Sequence, residues 1–349
     1  MNGDVEMPIT VFIIGSGASA SYGAPTFSDF FDNAKKIMSD SKAGVDIGRF
    51  EKVIKLHEDE YPLFNIEQFY GLLEMKEELG DDIDLSILKD HILYLISATI
   101  EHSLKDGTPE SVSNFIRVLE RSDATIINFN WDLLFDSLFF RCEEDKSQGI
   151  NYGVKLSELE DQNSRSPKVK DGDECGQSSL KMLKLHGSLN WLVCPECGDL
   201  FFVRRYIVEK SSNHRCDNCK ATLEPLIIPP VSTKLIKGKK YKSIKEIWRL
   251  AGESLVEADK IYIIGYSFPI TDTQFETFFI DSMIKNKHLK EINIVTRRKY
   301  GSEKVNFEDR YISIFRHTRH LEKVHFEDYS SSEECFKFLA ILPNAPLPD

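Results

Sequence analysis

Short runs of apolar and β-branched residues, spaced along the whole chain, constrain the fold more than any other feature. They are Ile9–Ile14, Thr125–Phe129, Met182–Leu185, Ile261–Ile264 and Ile292–Val295. Each is apolar on both faces, as a parallel strand reads when helices cover both sides of its sheet. Helix-period segments precede two of them, Ser111–Arg121 ahead of Thr125 and Lys245–Glu257 ahead of Ile261. Strand–helix alternation of this kind predicts an α/β fold, a Rossmann-like doubly wound parallel sheet. A sixth, more polar run lies near Lys323–Phe326.

Two stretches interrupt the alternation. Residues 29–108 carry FSDFFDNAKKIM, IEQFYGLLEMKEEL and LKDHILYLISATIEHSL, with apolar residues at helical spacing. They predict a helical insertion after the first strand and turn. Its aromatic residues Phe30, Phe31, Phe69 and Tyr70 fit either core packing or an assembly face. Residues 190–224 hold two C-x-x-C pairs and predict a small metal ribbon. Both sit inside one α/β domain expected over residues 8–349, although 349 residues alone suggest about two domains. Glu158–Ser179 has the composition of an exposed loop.

Charge and hydropathy narrow the partners. The net charge is 44 − 56 = −12, which argues against coating nucleic acid through overall charge. The basic stretch from Lys234 to Lys242 fits a solvated loop or a contact for an anionic partner. No run of about 18 apolar residues is present, so no membrane span is expected. The N-terminus is acidic before its apolar run, unlike a secretory signal, and a cytoplasmic protein is expected.

The strand ends carry the chemistry-bearing residues. The first ends in Gly15-Ser16-Gly17-Ala18-Ser19, with Gly23-Ala24-Pro25-Thr26-Phe27 behind it. Small residues there allow close backbone approach to a ligand, and a following helix N-terminus suits a pyrophosphate. The spacing departs from G-x-G-x-x-G, and a ligand-free tight turn fits it too. The second run leads into Asn130-Trp131-Asp132, where Asp132 is either a crevice residue or an Asx helix cap. The third leads into His186-Gly187-Ser188, with an imidazole placed for acid–base work. The fourth leads into Gly265-Tyr266-Ser267-Phe268, with Asp272 close behind. Four such ends at one sheet edge predict a ligand crevice.

Cys194-x2-Cys197 and Cys216-x2-Cys219, 18 residues apart, fit four-cysteine zinc spacing. Four protein ligands close the coordination sphere, so a structural Zn2+ is expected, with His214 a less well-spaced substitute. Cys142, Cys175 and Cys335 read as plain core or surface residues. His317 and His320 lack cysteine or carboxylate company and read as surface residues.

Taken in order, GSGASASYGAPTF, NFNWD, HGS, the two C-x-x-C pairs, GYS and INIVT resemble the sirtuin (silent information regulator 2) family, over about Ile9 to Thr296. That resemblance implies NAD+ as substrate. Gly15, Ser16, Gly17, Ala18 and Ser19 would line its phosphates, and Pro25 and Phe27 would belong to a flexible cofactor loop. Gly265 and Ser267 would sit near the phosphates or the adenosine ribose, and Asn293 on the adenosine side. Asn130, Asp132 and His186 match the catalytic segment, and Cys194, Cys197, Cys216 and Cys219 the zinc ligands.

Departures from the family bear on the reaction. Sirtuin deacylases follow the ribbon with F-G-E, which pairs with an acyl-lysine peptide; here Leu226-Ile227-Ile228-Pro229-Pro230 follows. Two prolines remove backbone donors from that edge. Ser28 stands where deacylases have Arg, and Phe129 where they have Gln. With GYSFPITD, these features resemble the sirtuin-like NAD+ glycohydrolase domains of bacterial antiphage systems. The expectation is NAD+ cleavage to nicotinamide and ADP-ribose, gated by homo-oligomerisation or a regulatory partner protein. The alternatives are an NAD+-dependent lysine deacylase and a non-catalytic NAD+ or ADP-ribose sensor.

Overall fold

The structure, a computed structural model, describes residues 8–80, 85–104, 109–120, 122, 124–136, 150–159, 180–203, 214–229, 238–297 and 301–340. Cys142, Cys175, Lys234 and most of the loop expected at 158–179 lie outside them. The chain begins with β1 (Thr10–Ile14) and a one-turn helix α1 (Ser16–Ala20). Four helices follow: α2 (Phe30–Ser39), α3 (Ile47–Glu60), α4 (Ile66–Glu78) and α5 (Leu85–Ser103). Then come α6 (Glu110–Leu119), β2 (Ala124–Asn128), β3 (Leu156–Glu158), β4 (Lys181–Lys184), β5 (Gly187–Val193), β6 (Leu200–Phe202) and β7 (Glu224–Ile227). The chain continues with α7 (Lys242–Glu257), β8 (Lys260–Ile264), α8 (Thr273–Lys285), β9 (Glu291–Arg297), α9 (Gly301–Phe315), β10 (Val324–Tyr329) and α10 (Ser332–Leu339).

Six strands form one all-parallel sheet in the order β10-β9-β8-β1-β2-β4. Counted along the chain, these strands run third, second, first, fourth, fifth, sixth from the β4 edge, the doubly wound dinucleotide-binding order. The strand order reverses between β1 and β8, and a crevice opens there at the carboxyl ends. The five apolar runs and the more polar sixth all lie in this sheet. Helices cover it because its central strands are largely apolar: all five residues of β2 are buried. Phe12 on β1 stacks on Tyr262 of β8 and meets Phe115 of α6 edge-on. Each fully buried side chain of this size contributes about 1.5–3 kcal/mol.

Helices α2 to α5 build a second core. The central α5 is buried along much of its length, at Ile92, Leu95, Ile96, Ala98 and Ile100 among others, and α2, α3 and α4 pack on it. Phe30, Phe69 and Tyr70 are buried there, and Phe31 stacks on His57 with ring centroids 3.6 Å apart. Of the two uses these aromatic residues fit, the core is the one they serve. Helix α4 starts with a reciprocal cap: the Asn65 amide donates to Gln68 Oε1 (3.0 Å) and the Gln68 amide to Asn65 Oδ1 (2.9 Å). Trp131, Leu189 and Ile227, from the strand-bearing part of the chain, complete this core. No helix among the described residues is long and apolar enough to cross a membrane.

A four-stranded sheet, β3-β6-β5-β7, carries the cysteine ribbon. His320 departs from its expected surface position. It is buried, with Nε2 3.0 Å from the Met283 carbonyl and 3.2 Å from that of Asn286, both at the end of α8. The nearby sequence is polar, and only the docking of the α9–β10 connection against α8 puts this ring inside. Cys335 is buried on α10.

Candidate active site

The crevice at the switch point is a cleft of about 740 Å³, open mouth included. Ser16, Pro25 and Phe27 line it from the loops after β1, and Phe129 to Asp132 from the segment leaving β2. His186 lies after β4, Gly265 to Ser267 after β8, and Asp272 at the start of α8. The helical insertion contributes Phe30, Ile66, Glu67 and Ile100.

Two glycine segments meet at the floor of this crevice. The Gly17 amide donates to the Gly265 carbonyl (2.9 Å), and the Gly15 amide to that of Ile264 (3.0 Å). A Cβ on Gly265, whose φ is +62°, would lie 2.2 Å from the Ala18 nitrogen, and one on Gly15 2.7 Å from the Gly265 carbonyl oxygen. The glycines let two chain segments touch. Ser16 and Gly265 line the cleft, whereas Gly15, Gly17 and Ala18 are packed beneath it. Ser19 is fully buried and turned toward Asn130.

Asn130 is locked by its hydrogen bonds. Its main-chain amide donates to Asn128 Oδ1 (2.8 Å), and Nδ2 donates to the Gly15 carbonyl (3.1 Å) and to Ser19 Oγ (3.0 Å). With both amide protons directed inward, Oδ1 is the polar atom the side chain has left to offer a ligand. Asp132 is a crevice residue that also closes a local Asx turn, and no helix directly follows it among the described residues. Its Oδ1 accepts from the Leu134 amide (2.9 Å) in an Asx turn, and the residue lines the cleft. Burial pushes its carboxyl above the ordinary carboxylate range, against the pull of the Leu134 amide and the Lys184 ammonium.

His186 leaves β4 at the point where the chain turns from one sheet into the other. Gly187 makes that turn at φ +73°, where a Cβ would meet the Leu226 carbonyl oxygen at 2.1 Å. The His186 ring stands edge-on to Phe129 with centroids 5.1 Å apart. Its Nε2 is 3.7 Å from Asp272 Oδ2. That oxygen accepts from the Tyr266 hydroxyl (2.6 Å), while Oδ1 caps α8 at the Phe275 amide (3.3 Å). Burial, then Asp272, pushes the Tyr266 hydroxyl well above the ordinary phenol range, so it stays protonated and donates. Phe268, between them, has a left-handed φ of +48° and a fully packed ring. Its carbonyl accepts from Arg310 Nε (2.9 Å), and Arg310 pairs with Glu276.

Asn293 lies within β9, opposite Tyr262, and its Nδ2 donates to Glu291 Oε1 (3.0 Å). It is not among the residues lining the cleft. Three lining or supporting groups are missed from the sequence: Glu67, Lys184 and Asp136. Glu67 is one acid in an amphipathic helix, and only the docking of α4 brings it to the cleft. Lys184 carries a signal in hindsight, a cation inside an apolar strand.

Away from the cleft, the sulfurs of Cys194, Cys197, Cys216 and Cys219 all lie within 4.8 Å of one another. Cys194 Sγ is 3.2 Å from that of Cys219, and Cys197 Sγ 3.6 Å from that of Cys216. Tetrahedral zinc thiolate bonds of about 2.3 Å put ligand sulfurs about 3.8 Å apart, so the donor set fits Zn2+. Matching turns present the pairs: Gly198 and Lys220 are both left-handed, and their amides donate to the carbonyls of Cys194 and Cys216 (2.9 Å each). His214 is not part of the cluster. Four thiolates leave no open position, so such an ion is structural.

No protein-family model matches the chain, and no curated protein matches it. Among solved structures, the chain is similar to a mutant Sir2 homologue in complex with ADP-ribose, at a TM-score of 0.44 and 14% identity, covering 96% of this chain and 91% of that one. It is similar also to a Sir2 in complex with an inhibitor, 2′-O-acetyl-ADP-ribose and a deacetylated peptide, at a TM-score of 0.37 and 15% identity, covering 96% and 93%.

Proposed function

We propose that the chain is an NAD+ glycohydrolase, releasing nicotinamide and ADP-ribose. One observation carries the reading: Asn130, Asp132 and His186, from segments that follow two different strands, line a single cleft at the switch point of a dinucleotide-type sheet. The order of motifs along the chain, which resembles the sirtuin family, supports NAD+ as the occupant. Ser16, Pro25, Phe27, Gly265 and Ser267 are then the residues beside the dinucleotide, with Ser19 and the buried glycines holding the floor.

The bond broken joins the ribose C1′ to the nicotinamide nitrogen, and its electron pair leaves with the neutral nicotinamide. Positive charge develops on the ribose as this bond loosens. The Asp132 carboxylate, buried and held by the Leu134 amide, stabilises that charge. Asn130 Oδ1 accepts a hydrogen bond from the attacking water or a ribose hydroxyl and so orients it. His186, in its neutral form, takes the proton released when water adds to C1′. Asp272, held by Tyr266 and the start of α8, supports the imidazolium that results.

Hydrolysis is favoured over lysine deacylation by the backbone after β7. There the Ile228 amide already donates to the His186 carbonyl (2.9 Å), and Pro229 has no N–H to give. An added peptide strand has few donors to meet on this edge. A hydrolase of this kind drains its own cell of NAD+, so the reading includes a gate, by self-assembly or a partner protein, and a role in bacterial antiphage defence.

Purified protein incubated with NAD+ should release nicotinamide without any acylated peptide. His186→Ala and Asn130→Ala should each lower release at least about 100-fold while far-ultraviolet circular dichroism stays unchanged. Release that requires an acyl-lysine peptide would favour the deacylase. NAD+ binding by calorimetry with no turnover, alone or in a phage-infected lysate, would leave a sensor.

A further inference from the structure

Lys184 is fully buried, and its ammonium group is saturated. It donates to the main-chain carbonyl of Asp132 (2.9 Å), to Asp136 Oδ2 (3.1 Å) and to Ser188 Oγ (2.8 Å). Asp136, also fully buried, accepts at its other oxygen from the Tyr152 hydroxyl (2.6 Å). These partners lie on the two segments that carry the proposed catalytic groups. Asp132 and Asp136 belong to the segment leaving β2. Ser188 lies just past His186, so the bond from Lys184 spans the His186–Gly187 turn from below. Lys184 stands directly opposite Asn128 in the β2–β4 register, at the carboxyl end of both strands.

Sheet stability does not call for this arrangement. A buried ion pair is commonly no more stabilising than apolar side chains of equal volume, because desolvation offsets the attraction. Its use is geometric: three directed bonds from one atom fix three points. We propose that Lys184, with Asp136, is the positioning element of the cleft, setting the separation between the Asn130–Asp132 segment and His186. The proposal rests on the hydrolase reading for its kinetic consequence, but its geometry is independent of that reading. Lys184 touches no substrate; it acts through Asp132 and Ser188.

The charge of Lys184 supplies a second readout. Asp132 faces Lys184 from β4 and Asp136 from its own segment, and accepts a hydrogen bond from Ser19. Across the cleft stand His186, Glu67 of α4 and Asp272 at the start of α8. Of the two nearest charges, Lys184 favours the Asp132 carboxylate more strongly than Asp136 opposes it. Removing both moves the Asp132 titration to higher pH.

Lys184→Met alone strands a buried Asp136 and endangers folding. The test therefore pairs it with Lys184→Met/Asp136→Leu/Tyr152→Phe, which replaces the ion pair and the tyrosine hydroxyl with apolar side chains, each variant checked by thermal melting. In the folded triple variant, kcat for nicotinamide release should fall about 100-fold, as a displacement of about 1 Å costs, with KM for NAD+ changed less than about threefold. The acidic limb of the kcat–pH profile should move to higher pH, and so should the Asp132 titration followed by carboxyl-carbon NMR. A folded triple variant with wild-type kcat and an unmoved acidic limb would overturn the proposal. If the wild-type protein releases no nicotinamide, the hydrolase reading fails by itself. The positioning role is then decided by the Asp132 titration and a crystal structure of the variant: an unmoved titration with unchanged Asn130–His186 spacing overturns it, and changes in both support it.

Discussion

Asp132 is a carboxylate kept where its charge is unfavourable. Burial raises its proton affinity in the folded chain above that in the unfolded chain. The native state therefore binds more protons between the two values, and the stability this group contributes declines as pH rises through that window. Asp132→Asn removes the titration. Thermal melts should show a shallower decline in stability from acid to neutral pH and no loss of melting temperature at pH 7, while nicotinamide release drops at least about 100-fold. A variant with lower stability at neutral pH would mean that the charge stabilises the fold. Asn130 and His186 are legible as strand-end polar residues because strand direction sends them to the crevice. Lys184, Asp136 and Glu67 are not, since what places them is contact between segments distant in the chain, as between Lys184 and both Asp136 and the Asp132 carbonyl.

At the scale of elements, the turns after β1 and β8 act as one unit because Gly15, Gly17 and Gly265 touch. Gly265→Ala should destabilise the protein by about 1–3 kcal/mol from its left-handed φ alone, and by more once the Cβ meets Ala18. Urea unfolding measures this, and a loss below about 0.5 kcal/mol would contradict so close an approach. The glycine pattern is visible in the sequence, but its purpose is not: the same residues fit a phosphate cradle or the packing of two turns. The cysteine ribbon is more legible, because thiolate chemistry and C-x-x-C spacing narrow the options before any fold is known. Its apolar core is small, Leu192, Phe201 and Leu223 beside two of the cysteines, and cannot hold the ribbon alone. Cys194→Ser or prolonged chelation should therefore abolish hydrogen-exchange protection at the two cysteine turns, the Gly198 and Lys220 amides, and leave β1, β2, β8 and β9 protected. Equal loss in those strands would show that turns and sheet unfold together.

Over the whole molecule, the cleft is closed by two bodies that sequence order keeps apart. Helices α2 to α5 supply Phe30, Ile66, Glu67 and Ile100, and the sheet supplies the rest. Trp131, Leu189 and Ile227 join the two. Leu189 is not among the cleft-lining residues, so Leu189→Ala should loosen the docking without touching the ligand, at about 2–5 kcal/mol. KM for NAD+ should rise several-fold more than kcat falls, and an unchanged KM in the destabilised variant would mean that the helices do not shape the site.

The amino-acid sequence by itself settled the layered α/β sheet, the helical nature of the insertion and the metal character of the ribbon. Strand burial, helix periodicity and thiol spacing are local properties, written within a few residues of one another. Tertiary structure alone decided that α4 delivers a carboxylate to the cleft, that one lysine ties Asp132 to Ser188, that His320 is buried, and that Asn293 is not among the cleft-lining residues. Those outcomes depend on contacts between segments tens to hundreds of residues apart, which no local pattern encodes.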